Sequence, residues 1–236
     1  MTELFIAGHR GISDAGFPDV LCPVLFLEKC NLHCPYCMNY GLVESTCKND
    51  IPLNEVADYY MKKGETQILL SGGEPCFNAD IAEYALLLKE KGFKVRLSTN
   101  GSFPDVLKKL IDDNLITYVA MDIKTSLDNK DAWAQISYRS NITDVIKQSI
   151  EMLENGKIGF EFRTTLFPPL VKDSDIISIS NSINCNSMWV LQQFRQKQRL
   201  LGGDNTKGIE PYNNEQLSSM LKLARQKNKK AQIKYV

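Results

Sequence analysis

Three cysteines stand close together in the stretch EKCNLHCPYCMNY (28–40), at Cys30, Cys34 and Cys37. Thiolates are soft ligands that suit iron–sulfur clusters or zinc. Structural zinc usually draws on two paired ligand groups, and only one spaced group is present, because Cys22, Cys47, Cys76 and Cys185 are scattered. A cubane cluster ligated by protein alone takes four cysteines. Three thiolates would leave one iron open to a non-protein ligand, as a catalytic site requires. Zinc completed by His33 or a distant cysteine is the competing reading. Cys22 opens an apolar run and reads as a small buried residue, and Cys76 follows a Gly-Gly-Glu-Pro turn. His9 and His33 are the only histidines, which argues against histidine acid–base chemistry; His33 reads as loop packing.

The elements that must position these cysteines alternate along the whole chain. CPVLFLE (22–28), QILLSGG (67–73), FKVRLST (93–99), TYVAMDI (117–123), IGFEFRTT (158–165) and MWVLQQF (188–194) read as strands. Most are near-continuous apolar runs, as expected when both sheet faces are covered. Between them, apolar residues recur at helical spacing: Leu53, Val56, Ala57, Tyr60 and Met61; Ile81, Tyr84, Ala85 and Leu88; Val106, Leu107, Leu110 and Ile111. Ile142, Val145, Ile146, Ile150 and Leu153 continue the series, then Ile176, Ile179, Ser180 and Ile183, then Leu217, Met220, Leu221 and Ala224. Strand–helix alternation predicts parallel pairing with right-handed crossovers. Six such units fit an incomplete barrel or a doubly wound sheet, and periodicity does not choose between them. Both place ligand chemistry at the carboxyl ends of the strands. There the sequence puts the cysteine loop, SGGEP (71–75), STNG (98–101), MDIK (121–124), RTT (163–165) and QQFR (192–195).

Composition narrows the class. The 236 residues hold 28 Lys+Arg and 28 Asp+Glu, a balance that gives no reason to expect nucleic-acid or membrane binding. No apolar run is long enough for a transmembrane helix. The start, MTELFIAGHRGISDAG, lacks the parts of a signal peptide. A cytoplasmic location is expected, where thiols stay reduced and seven cysteines suggest metal chemistry over disulfides. The basic runs FRQKQR (194–199) and RQKNKK (225–230) read as solvated surface.

CNLHCPYC fits the Cys-x3-Cys-x2-Cys motif of the radical S-adenosylmethionine (SAM) enzymes, and Gly-Gly-Glu-Pro follows at the end of the next strand. With STNG, MDIK, FRTT and QQF at later strand ends, the chain most resembles the small activases of glycyl radical enzymes, in particular the anaerobic ribonucleotide-reductase activating branch. The resemblance implies an α/β fold, a partial (β/α)6 TIM-like barrel. It implies one radical SAM core domain over 1–236, with 1–21 as a lead-in. It makes Cys30, Cys34 and Cys37 the ligands of a [4Fe–4S] cluster, with SAM chelating the open iron. Tyr36 falls where the family places an aromatic residue beside the adenine. Gly72, Gly73 and Glu74 match the turn that meets the methionine end of SAM. Ser98, Thr99, Asn100, Asp122, Lys124 and Arg163 are further cofactor-binding candidates. Asp122 with Thr99 could hold a monovalent cation, and Arg163 could meet the SAM carboxylate.

The implied activity is reductive SAM cleavage to a 5′-deoxyadenosyl radical, fed by an external one-electron donor of flavodoxin or ferredoxin type. The radical would abstract hydrogen from a glycine of a glycyl radical enzyme partner. The chain departs from the activase pattern at Met38, where relatives carry His, at Lys29, where they often carry Gly, and at Gly16 before Pro18, with Asp14 displaced. A peptide or small-molecule substrate, such as a deazapurine, is therefore an alternative. A non-catalytic iron–sulfur electron carrier is another.

Overall fold

The computed structural model of the chain describes residues 3–13, 21–197 and 199–235. In chain order the elements are β1 (Phe5–Ile6), β2 (Gly8–Ser13), β3 (Cys22–Leu27), α1 (Tyr40–Val43), β4 (Ile51–Pro52), α2 (Leu53–Lys62), β5 (Gln67–Gly72), α3 (Ile81–Glu90), β6 (Lys94–Thr99) and α4 (Pro104–Asp112). They continue with β7 (Tyr118–Asp122), α5 (Lys130–Ile136), α6 (Ile142–Asn155), β8 (Gly159–Leu166), α7 (Asp173–Ser182), β9 (Trp189–Gln193), α8 (Asn214–Arg225) and β10 (Ala231–Lys234). Among the described residues, eight strands follow the hydrogen-bonded order β10-β9-β8-β7-β6-β5-β3-β2. β3–β5, β5–β6, β8–β9 and β9–β10 pair in parallel, and β2 pairs antiparallel with β3. All six strands expected from the sequence are present, each followed by a helix.

Backbone contacts group the chain into two compact units. The first comprises Met1–Asn31, Asn39–Thr99 and Asp105–Ala120; the second comprises Leu32–Met38, Asn100–Pro104 and Met121–Val236. In the first, Val24, Leu25, Leu27, Ile68, Leu69 and Leu70 are at most 1% exposed, which is why β3 and β5 read as unbroken apolar runs. Cys22 packs there with Val24, Leu69 and Ala120, the buried role its position suggested. The helix stripes hold in part: Leu53, Val56, Ala57 and Tyr60 of α2 are buried, but Met61 is 46% exposed. It lies one residue beyond the stripe, on the shoulder of the helix.

Residues 3–13 of the lead-in contain two strands that the sequence did not announce. β1 pairs with β4 and β2 lines the edge of β3. GHRGIS carries two glycines and little β-branching, so neither propensity nor alternation marks it; pairing to β3 decides its conformation. Asp14, Gly16 and Pro18, the positions compared with the family's N-terminal acidic residue, lie outside the described residues, as does Gln198 of the first basic run.

In the second unit, Phe162, Leu166, Trp189 and Leu191 are fully buried. Two helices, α5 and α6, fill the one crossover from β7 to β8. The N-terminus of α5 is capped by a side chain and that of α6 is not: Asn129 Oδ1 accepts from Ala132 N at 3.1 Å in α5. At α8, Asn213 and Gln216 exchange side-chain-to-backbone bonds at 2.9 Å each way, a capping box. No helix among the described residues is long and apolar enough to cross a membrane.

Burial of the stripe predicts a contrast between two apolar positions. Phe162→Ala should lower the unfolding free energy by about 3–5 kcal/mol, while Met61→Ala should change it by no more than about 0.5 kcal/mol. Urea titration followed by circular dichroism measures both.

Candidate active site

In the first unit the cysteine loop leaves β3 along a path set by the glycine pair. The parallel register ends at Leu27↔Gly72, but the backbone bonds continue: Gly73 N donates to Leu27 O and Glu74 N to Lys29 O, both at 2.8 Å. A Cβ on Gly72 would lie 2.3 Å from Leu27 O, and one on Gly73 would lie 1.9 Å from Lys29 O. The close approach that demands glycine is therefore made to the chain's own backbone, at the residues leading into Cys30. Gly72 also has φ of +124°, open only to glycine. Lys29 takes φ of +69°, a left-handed conformation costly for an L side chain. Asn39 Nδ2 donates to Gly72 O at 2.9 Å, bringing the far end of the loop back to the same turn.

Glu74 is 1% exposed. Its Oε1 accepts from Cys76 N at 3.0 Å and from Thr99 Oγ1 at 2.7 Å. It thus caps the short 3-10 turn Pro75–Phe77 and ties the end of β5 to the end of β6. Burial, reinforced by the Glu74 carboxylate, holds the Cys76 thiol well above its ordinary pKa, so Cys76 is an inert thiol inside this turn. Ser98 is half-buried in β6 and Cys30 half-buried at the loop's start.

In the second unit the rest of the loop packs under the segment that follows β9. Leu201 N donates to Cys37 O at 3.0 Å and Gly202 N to Pro35 O at 2.9 Å. Cys37 N donates to Cys34 O at 3.0 Å, closing a turn between the two cysteines. His33 N donates to Ile136 O at 2.8 Å, and its exposed ring lies 5.1 Å from that of Tyr138, itself 87% exposed. The Tyr36 ring stands 5.2 Å from Phe167, which stands 4.9 Å from Phe194.

Two charge pairs of this unit are largely buried. Lys124 Nζ bonds Asp122 Oδ2 at 2.8 Å. Burial alone would lower the Lys124 pKa, but Asp122, then Tyr36 and Cys34, outweigh it and hold the ammonium well above its ordinary value. Burial pushes the Cys34 thiol up to about 11; Lys124 and, more weakly, the nearby Tyr36 hydroxyl oppose the shift, and Cys37 and Asp122 add to it. Arg163 is 5% exposed and sits within β8, not beyond its end. Its Nε bonds Oε1 of fully buried Glu161 at 2.5 Å. Asn100 Oδ1 accepts from Ser102 N at 3.0 Å and from Ser102 Oγ at 2.6 Å. Asp122 and Thr99, the candidate cation pair, are each engaged inside their own unit, by Lys124 and by Glu74.

Sequence reasoning missed three contributors. Glu161 shares a strand face with Arg163 two residues on, and the period of two could have revealed it. Asn39 acts through its side-chain amide on a backbone carbonyl and the Leu201–Gly202 segment through its backbone N–H groups; partners that are backbone atoms common to every residue leave no residue-type signal. None of the seven cysteines is in a disulfide. Among the described residues, no three His, Cys, Asp or Glu side chains converge as the ligands of a single metal ion.

Residues 24–178 match the family model of the radical SAM superfamily. A Methanocaldococcus jannaschii protein, provisionally named a glycyl-radical enzyme activating enzyme, is 31% identical over 197 residues, 83% of this chain and 82% of the relative. A second protein of that organism with the same provisional name is 26% identical, covering 77% of this chain and 68% of its own. Among solved structures, Streptococcus suis SuiB bound to S-adenosylmethionine aligns with a TM-score of 0.65 at 14% identity, over 88% of this chain and 48% of SuiB. TYW1 with a lysine-pyruvate adduct aligns at 0.58 and 15%, over 86% and 72%. At such identities the likeness is one of fold, and the chain spans about half the length of SuiB. It bears out the expected fold class: an α/β chain with a mostly parallel eight-stranded sheet, of the partial-barrel type.

The backbone crowding at the glycine pair predicts opposite outcomes one turn apart. Gly73→Ala should cost more than about 3 kcal/mol, because the clash is with a carbonyl and not a movable side chain. Lys29→Gly should stabilise by about 0.5–1 kcal/mol. That is the relief of a left-handed L residue, about 1–2 kcal/mol, less the roughly 0.4–1 kcal/mol of added unfolded-state entropy. Glu161→Ala, which strands a buried guanidinium, should cost about 3–5 kcal/mol. Chemical denaturation of the three variants reads all three signs.

Proposed function

The chain belongs to the radical SAM superfamily, and on that premise we propose that this oxidoreductase activates a glycyl radical enzyme. The observation that carries the activase reading is the 31% identity extending over four-fifths of both this chain and its Methanocaldococcus relative.

Cys30, Cys34 and Cys37 would hold a [4Fe–4S] cluster, and the amine and carboxylate of SAM would complete it. When bound, this pair supplies one-electron reduction and cleavage of the sulfonium to a 5′-deoxyadenosyl radical. Two features of the chain fit that cofactor. The donor set is three thiols outside any disulfide, and a cubane asks for one thiolate on each of three irons, not three on one ion. Tyr36 Oη is buried with no hydrogen-bond partner among the described residues, and a thiolate formed beside it on cofactor binding would accept its hydrogen bond.

The residues then divide the work. Leu27, Lys29, Gly72 and Gly73 fix the backbone entering Cys30. Leu201 and Gly202 hold the backbone between Pro35 and Cys37. Glu74 offers a carboxylate to an ammonium group, with its orientation already set by Cys76 N and Thr99. Lys124 stays charged beside Cys34 and lowers the cost of a thiolate there. Arg163 offers a planar guanidinium to a carboxylate, oriented by Glu161.

The departures from the activase pattern support a divergent partner. The Lys29 side chain is 62% exposed and Met38 is 55% exposed, so both altered positions meet the surroundings of the loop. A glycine-bearing partner loop would have to leave its own fold to react, and that ordering cost makes binding weak unless the partner is already open. An external donor of flavodoxin or ferredoxin type would supply the electron.

The test incubates anaerobically reconstituted, reduced protein and SAM with the candidate radical enzyme of the same organism. A glycyl-radical EPR doublet that vanishes with Cys34→Ala is expected. Stoichiometric 5′-deoxyadenosine carrying hydrogen from a labelled peptide or small molecule, with no doublet, would move the assignment to the alternative substrate class. Glu74→Gln keeps an acceptor oxygen for Cys76 N and Thr99 but removes the charge. It should leave iron content unchanged and weaken SAM binding about tenfold, the effect of about 1.4 kcal/mol, as read by equilibrium dialysis.

A further inference from the structure

Tyr36 is 8% exposed, and its Oη is, among the described residues, the one buried side-chain N or O atom with no hydrogen-bond partner. A phenol held this way is destabilising, since buried hydroxyls are normally satisfied. Nor can the ring swing out to water. It packs on Phe167 at 5.2 Å; Phe167 is 1% exposed and packs on Phe194, itself 2% exposed.

Three groups act on Tyr36: Cys34 both by charge and because its sulfur lies near the hydroxyl, and Lys124 and Asp122 by charge, although the Cys34 sulfur and the hydroxyl do not meet in hydrogen-bond geometry. Lys124 is a donor only and offers nothing to a phenolic O–H. Asp122 is engaged with Lys124. Cys34 carries a sulfur that is a weak acceptor as a thiol and a strong one as a thiolate. Of the three, Cys34 is the one whose state changes when the loop takes up a metal. The Cys34–Cys37 turn and its two bonds from Leu201 and Gly202 hold the loop in place before any ligand arrives.

We propose that the Tyr36 hydroxyl donates a hydrogen bond to the Cys34 sulfur once that sulfur ligates the cluster, and that this bond raises the cluster's reduction potential. The proposal rests on the assignment of Cys34 as a cluster ligand. The direction follows from charge. A reduced cluster carries one more negative charge, so a donor to its thiolate is held more tightly in the reduced state and favours reduction. Tyr36 is here a positioning and tuning residue, through a hydroxyl that Phe lacks.

The experiment compares wild type with Tyr36→Phe, which keeps the ring and its packing. Both are reconstituted anaerobically without SAM, assayed for iron, and titrated potentiometrically by EPR; thermal melts are recorded on the cluster-free proteins. Equal iron content is expected, with a midpoint potential lower by about 59 mV in Tyr36→Phe, a tenfold change in the one-electron reduction equilibrium. Cluster-free Tyr36→Phe should melt no lower than wild type, because the lost hydroxyl had no partner. An unchanged potential overturns the proposal. So does a lower melting temperature for cluster-free Tyr36→Phe, which would reveal a partner within the chain. A shift seen only after SAM is added overturns it too, by assigning the hydroxyl to that ligand. Wild type that takes up no iron overturns the cluster assignment itself, and is distinguishable because it precedes any comparison of potentials.

Discussion

Gly73 N bonds Leu27 O and Glu74 N bonds Lys29 O, each at 2.8 Å, across a gap with no room for a side chain at residue 72 or 73. The other features of the first unit's site follow from this crossing. It extends the β3–β5 pairing past the end of the sheet, so that Lys29 and Cys30 leave along a defined path. It bends the chain so that Glu74 turns inward and is caught by Cys76 N and Thr99. It presents Gly72 O to Asn39, which returns the loop to its root. The left-handed φ at Lys29 is the local cost of the same geometry, borne here by a residue that is not glycine.

In the second unit the same economy appears with side chains in place of backbone. Each charged group expected to meet a cofactor already has a partner: Lys124 has Asp122, and Arg163 has Glu161. Buried charges are tolerated only when paired, so these pairs are what allows the groups to be buried at all. They also set orientation in advance, which lowers the reorganisation needed when a ligand binds. Tyr36 is the exception. Its hydroxyl is buried without such a partner, beside a thiol that burial holds near 11.

The apolar runs and helical stripes made the α/β alternation legible from end to end, because burial on both sheet faces and on one helix face leaves periodic traces in residue type. The cysteine spacing and the Gly-Gly-Glu-Pro turn were likewise legible, since metal ligation and close backbone approach each demand particular residues. What the glycines approach was not legible. A glycine pair says that something comes close, and only the register of β3 on β5 shows that it is Leu27–Lys29. β2 and β10 were missed because their residues show little β pattern and take their conformation from the strands they pair with, and β1 and β4 because two residues are too few to show a period.

By itself, then, the sequence determined the strand–helix order, the soft-ligand loop after β3 and the polar residues at later strand ends. These depend on local pattern and residue chemistry. Tertiary structure alone decided which groups are engaged with which: Glu74 with Thr99, Arg163 with Glu161, Cys37 and Pro35 with the segment after β9, and Tyr36 Oη with no other group among the described residues. The reason is physical. Except for Glu161 and Arg163, these contacts join residues far apart in the chain or act through backbone atoms common to every residue, and a linear pattern carries no trace of either.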